Sequence, residues 1–172
     1  MQLYIERGFE QTTVAEIAQR AGLTARTFFR YFADKREVLF GGSATLQEHL
    51  VNALGAAPDS ASPMQCVSTA LDAAAELLGQ RRDYSQQRQL VIDANPELRE
   101  RELIKLASLS AALADGLRRR GVVEPDASLA AEAGIVVLRV GFEQWLREPY
   151  SGELAQIMHA LLDRLPSVTI AR

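Results

Sequence analysis

Apolar residues recur along this chain at intervals of three and four, the spacing that gathers side chains on one face of a helix. Met64, Val67, Leu71, Ala74 and Leu78 form one such stripe; Leu154, Ile157, Met158, Leu161, Leu162 and Leu165 form another near the C-terminal end. No segment alternates apolar and polar residues between turn signals as a half-buried strand does. Breaks at Gly8, Gly22, Gly55–Pro63, Gly79, Asn95-Pro96, Gly121–Pro125 and Pro149–Gly152 divide the sequence into about nine helices. The fold class predicted is all-α. Several helix starts are explicit. Thr13 and Glu16 stand three apart as a capping box, and Asp34 and Glu37 repeat the form more loosely. Ser62-Pro63 and Asn95-Pro96 put a capping side chain before a proline that begins a helix. The stretch from Gly55 to Pro63 is the one plausible linker.

Composition narrows the class. Of 172 residues, 48% are hydrophobic, 24% charged and 6% aromatic, which suits a globular chain with an aliphatic core. The longest apolar run, Ala133 to Leu138, falls well short of the roughly 18 residues of a membrane span, and no signal peptide is evident near Met1. A single cysteine, Cys66, excludes an internal disulfide framework and points to a reducing, cytoplasmic setting. The net charge is −3, yet its distribution is uneven. Arg20, Arg26, Arg30, Lys35 and Arg36 crowd one short segment in which Asp34 is the lone acid, a local field that suits a polyanion.

That segment also carries the most specific pattern. Val14, Ile17, Ala18 and Ala21 give a short helix an apolar face. Gly22 supplies a left-handed turn that Leu23 plugs, and Thr24 caps a second helix with Phe28 and Phe32 inward. By apolarity alone, Phe29 also reads as core. Two short helices about a glycine turn set the second in a DNA major groove. Gly8-Phe9, Thr12-Thr13-Val14, Ile17-Ala18, Ala21-Gly22, Thr24, Thr27, Tyr31-Phe32 and Lys35 resemble, in order and spacing, the N-terminal signature of the TetR family of transcriptional regulators over Leu3 to Leu39. The resemblance implies a three-helix DNA-binding domain at residues 1–42 and a helical ligand-binding and dimerisation domain at residues 43–172. It implies a role for Thr24, Ala25, Arg26 and Thr27 near base edges, with Arg26 suited to a bidentate contact with guanine. Thr13, Tyr31 and Lys35 would hold phosphates. The resemblance also puts Phe29 among the DNA-binding residues; the family usually has tyrosine there, so one hydroxyl on the DNA face is lost, and Tyr31 is the candidate to replace it. The first helix is expected to be truncated, with about two turns missing.

Beyond residue 45 the resemblance is architectural. Three helices near Pro63–Leu78, Arg81–Ile92 and Pro96–Arg120 are expected to enclose an effector, with Val67, Leu71, Ala74, Leu78, Tyr84 and Gln87 as candidate contacts. Small residues on the helix from Asp126 to about Glu148 imply close approach by another helix. With the Leu154–Leu165 stripe they suggest a dimerisation hairpin involving Gly134, Gly141, Leu154, Ile157, Met158 and Leu161. Arg139 and Glu143, four apart, read as a structural ion pair. His49 and His159 lack metal-ligand spacing, no catalytic motif is evident, and no cofactor is expected. The function expected is a ligand-responsive repressor, a homodimer on a palindromic double-stranded operator, with an unidentified small-molecule effector and no membrane partner. The alternative is a helical ligand-binding or interaction module without DNA binding.

Overall fold

The computed structural model describes residues 1–147 and 152–169. Among these the chain is helical, without strands. The helices are α1 (Gln2–Arg7), α2 (Val14–Arg20), α3 (Ala25–Tyr31), α4 (Glu37–Phe40), α5 (Ser43–Ala56), α6 (Pro63–Gly79), α7 (Arg82–Asp93), α8 (Pro96–Arg119), α9 (Asp126–Leu146) and α10 (Leu154–Thr169). The expected helix end at Glu148 lies outside the described residues, as does most of the break at Pro149–Gly152.

Local signals act as their chemistry dictates. Thr13 and Glu16 form the reciprocal capping box, and Ser62 forms a second with Gln65 ahead of Pro63. Gly8, Gly22 and Gly121 adopt positive φ, at 83°, 70° and 89°, where a β-carbon would be strained. Asn95, expected to cap the start of α8, instead donates its side-chain amide back to the Val91 carbonyl (2.6 Å) at the end of α7.

Two compact units emerge. The first comprises Met1–Ala44 and Asp83–Lys105, the second Thr45–Arg82 and Leu106–Arg172. The N-terminal unit therefore recruits α7 and the start of α8, a segment expected in the larger domain. Its main cluster holds Tyr4, Phe9, Leu39, Phe40, Val91, Ile92 and Leu98. The second unit has a larger aliphatic core that includes Leu50, Leu54, Val67, Leu71, Leu113, Leu117, Leu138 and Met158. Gly55–Pro63 is no free linker. It lies within the second unit, where Arg120 donates to the carbonyls of Gly55 (3.1 Å) and Pro58 (2.6 Å) and Ala57 is buried.

The expected dimer hairpin needs correction. A β-carbon on Gly134 would stand 2.4 Å from Val67 Cγ1, and one on Gly141 would stand 3.1 Å from Met158 Cγ. The close approaches that these glycines permit are thus made by α6 and α10 of the same chain. Leu154, Ile157 and Met158 are buried in the same core, and Leu161 is half-buried against it. The stripe closes the monomer's own core because α10 packs on both α6 and α9. Arg139 and Glu143 do pair, at 3.2 Å.

Candidate nucleic-acid interface

The N-terminal unit builds its surface around the turn between α2 and α3. Gly22 at positive φ lets the chain reverse, and the Leu23 amide donates to Ala18 O (2.8 Å), closing α2. Thr24, in extended backbone, accepts the Thr27 amide (3.1 Å) and opens α3, and its hydroxyl also meets that of Thr27 (3.0 Å). Ala18 and Phe28 are buried and fix the inner faces of the two helices. Phe28 meets Phe32 at 5.2 Å and Phe29 edge-on at 5.5 Å between ring centres.

Two apolar expectations fail here. Phe29 is 56% exposed and Leu23 43% exposed. Phe29 follows Phe28 by one position, so the helical turn that buries one ring swings the other outward. Leu23 leaves the turn to its backbone bonds.

Thr24, Ala25 and Arg26 are exposed and Thr27 is half-buried. Arg26 makes no hydrogen bond or ion pair with any described residue. Arg30 lies 4.9 Å from the Tyr31 ring centre and donates to its hydroxyl (2.9 Å). Tyr31 is 64% exposed, and its hydroxyl keeps its own proton to donate. The Thr13 hydroxyl is already engaged with Glu16 (2.8 Å). Hydrogen bonds from Thr13 also hold the Glu16 carboxyl below its ordinary range.

Formal charge overstates what is free in this segment. Arg20 pairs with Glu6 (3.5 Å), and Arg36 with Asp34 (2.5 Å) and Glu97 (3.7 Å). The Arg36 guanidinium holds the Asp34 carboxyl below its usual range. Lys35 Nζ donates to the carbonyls of Phe9 (2.8 Å), Glu10 (3.2 Å) and Thr12 (3.2 Å) and sits 4.3 Å from the Phe9 ring centre. The ammonium that resemblance assigned to a phosphate thus has three carbonyl partners within its own unit. The cations left to face outward are Arg26 and Arg30, both on α3.

Sequence reasoning missed the supports of α4. Glu37 receives Arg101 Nε (2.6 Å) and Lys105 Nζ (3.0 Å). Burial alone would raise its pKa, but the hydrogen bonds from Lys105 and Arg101 win and hold it below the ordinary value. Arg88 donates to Leu39 O (2.8 Å), pairs with Glu102 (3.2 Å) and lies over the Phe40 ring. The hydrogen bonds that reach Glu37 and Leu39 span 49 to 68 positions of sequence, so no local motif announces them.

The candidate effector contacts divide. Val67, Leu71 and Ala74 are fully buried in the core of the second unit and Leu78 is packed beside them. Tyr84 and Gln87 are exposed and belong to the first unit. The second unit has an open recess of about 630 Å³ whose lining includes Asp72, Glu76, Arg82, Trp145 and Glu153. Asp72 also pairs with His159 (2.7 Å).

A capped, glycine-turned pair of short helices with an exposed cation on the second is a helix-turn-helix, the arrangement with which DNA-binding regulators present a recognition helix. The family model for "Bacterial regulatory proteins, tetR family" matches residues 1–40, and that for the "MftR C-terminal domain" matches residues 61–169. The chain belongs to the TetR family. It is 37% identical over 83 residues to the HTH-type transcriptional regulator TcmR of Streptomyces glaucescens, a match covering 48% of this chain and 35% of that protein. The aligned part is thus about a third of that relative's length. It is 28% identical over 162 residues to the HTH-type transcriptional repressor BepR of Brucella suis, covering 84% of this chain and 76% of the relative. Among solved structures, Thermus thermophilus FadR, a TetR-family transcriptional repressor in complex with lauroyl-CoA, matches with a TM-score of 0.55 and 25% identity. That match covers 100% of this chain and 92% of FadR.

Proposed function

We propose that this chain is a sequence-specific transcriptional repressor that grips a palindromic operator as a homodimer in the cytoplasm and lets go when a small molecule binds. The observation that carries the reading is the outward face of α3, where Arg26 is exposed and lacks a described partner while Thr24 and Ala25 flank it. Arg26 is the guanine reader in this scheme. Tyr31, with Arg30 stacked on it, holds a phosphate through its free hydroxyl proton. No catalytic step belongs to this reading.

A palindrome requires two recognition helices related by a two-fold axis. With the inner faces of α9 and α10 used within the chain, the dimer face falls to their outer residues, including Leu129, Val136 and Val168, which are 64%, 44% and 73% exposed. The effector enters the second unit beside α6, where the recess next to Asp72 and Glu76 has the volume of a small-molecule site. Val67, Leu71 and Ala74 become contacts only if the ligand parts α6 from its neighbours. The bound lauroyl-CoA of FadR makes long acyl thioesters the first class to screen. A ligand acts by favouring a conformation whose recognition helices no longer match DNA.

The test is fluorescence anisotropy on short duplexes tiling the DNA beside the chain's own gene, repeated across a salt series. One tile bound far more tightly than the rest, with affinity falling steeply as salt rises, is expected. Equal binding to every tile would remove sequence reading from the proposal. No binding to any tile would remove DNA altogether. Adding lauroyl-CoA to the bound tile then asks whether the effector class is right.

A further inference from the structure

Lys35 Nζ is surrounded on the side of its own unit. Its carbonyl partners, Phe9, Glu10 and Thr12, all lie in the loop that joins α1 to α2. The backbone of Lys35 is tied in return, because Tyr4 of α1 donates its hydroxyl to Lys35 O at 2.5 Å. Tyr4 is buried, and burial together with the nearby Asp34 charge pushes its phenol well above the usual range, so it stays a donor. Thr12, itself buried, donates to Gly8 O (2.8 Å) and stiffens the same loop. One residue just past the recognition helix thus receives a bond from α1 and sends three into the loop that starts α2.

We propose that Tyr4 and Lys35 form a two-point lock that sets α2 and α3 for DNA, with Lys35 acting as a positioning residue rather than a phosphate ligand. An ammonium has three N–H donors. Here three carbonyls and an aromatic face occupy it, so a phosphate would have to displace one of them. The proposal rests on the DNA-binding reading above, and its experiment separates the two.

The variants are Lys35→Met, Lys35→Arg and Tyr4→Phe, measured on a random-sequence duplex by anisotropy across a salt series and by thermal melting. A phosphate ligand and a lock make opposite forecasts. If Lys35 holds a phosphate, Lys35→Met lowers the salt slope by about one unit, Lys35→Arg binds as well as the parent, and Tyr4→Phe is silent on DNA. If Lys35 is the lock, Lys35→Met keeps the parent slope while affinity falls roughly tenfold. Lys35→Arg, whose flat fork does not fit a socket of three carbonyls, loses affinity despite its charge. Tyr4→Phe, an uncharged change in the core, weakens binding in the same direction. Melting should fall by roughly 5 °C in Lys35→Met, and combining it with Tyr4→Phe should cost less than the two losses added. A purely structural role would lower melting alone and leave folded Lys35→Arg and Tyr4→Phe at parental affinity, which overturns the proposal. A slope reduced by one unit with unchanged melting overturns it too. Should the parent not bind duplex at all, the DNA reading fails first, and additive melting losses in the double variant would still refute the lock.

Discussion

The N-terminal unit and the helical unit that follows use polar and small residues in opposite ways. In the first, charged side chains do internal work: Arg88 holds the Leu39 carbonyl, Arg101 and Lys105 hold Glu37, and Lys35 holds the loop before α2. In the second, aliphatic side chains fill the core, and glycines on α9 let α6 and α10 come close. The physical reason is size. A short helix such as α4, only 4 residues long, cannot bury enough apolar surface to fix its own direction, so side chains from α7 and α8 hold it. Long helices such as α9, with 21 residues, orient one another by packing. Charge in the first unit and small residues in the second therefore both report on internal architecture first.

The largest effect is expected in the core of the second unit. Met158→Glu would put a carboxylate at a position 1% exposed, costing several kcal/mol by desolvation unless it takes up a proton. The expected outcome is loss of cooperative melting, followed by circular dichroism. A mutant that stays folded but sediments as a monomer would restore α10's stripe as a dimer face. A smaller effect is expected at Gly134→Ala. The new β-carbon would meet Val67 Cγ1 at 2.4 Å, and valine has little rotamer freedom with which to withdraw. Overpacking of this kind costs about 1–3 kcal/mol, offset by about 1 kcal/mol of helix propensity. Adding Val67→Ala should recover part of the loss in chemical denaturation. Purely additive losses would place the strain elsewhere.

These two residues also mark how far the sequence could be read. Periodicity located the helices, and Thr13 with Glu16, Ser62 with Gln65 and Gly22 marked boundaries, because each signal is local. What periodicity cannot say is which partner a stripe meets. Gly134, Gly141 and Met158 were legible as a close, apolar contact, but not as one made within the chain. At the proposed DNA face, order and spacing gave α3 and its cap at Thr24. The fate of Lys35 and the bracing of α4 were not legible, since they depend on residues brought together from distant parts of the sequence.

In the first unit the ion pairs that brace α4 can be tested in the same way. Glu37→Gln removes the charge that Arg101 and Lys105 share, and should destabilise the first unit by about 1–3 kcal/mol at neutral pH. Because the Glu37 pKa is lowered in the folded chain, its contribution is present above the unfolded carboxyl value of about 4.3 and is lost as pH falls through the lower folded value. The melting difference between parent and variant should therefore shrink on acidification below about pH 4. A difference that stays constant over that range would mean the ion pairs do not hold α4.

The smallest expected effect on stability belongs to Arg26→Ala, and that smallness is what separates reading from bracing. Arg26 is exposed and makes no bond to any described residue, so its removal should move stability by no more than about 0.5 kcal/mol. Every other cation of its segment is tied to a partner within the chain, and replacing Lys35 should change melting as well as binding. On DNA the expectation reverses. A bidentate pair with guanine is worth about 1–3 kcal/mol of discrimination, so Arg26→Ala should lose affinity for the operator and relax preference at one base pair in each half-site, while affinity for unrelated duplex changes little. Binding to a panel of operators, each substituted at a single base pair and symmetrically in both halves, gives the measurement. An even loss across all duplexes would make Arg26 a backbone contact and shift base reading to Thr24, Ala25 or Phe29. A marked drop in melting temperature would mean that Arg26 belongs with the bracing cations after all, and that α3 owes its exposed charge to architecture as the rest of the unit does.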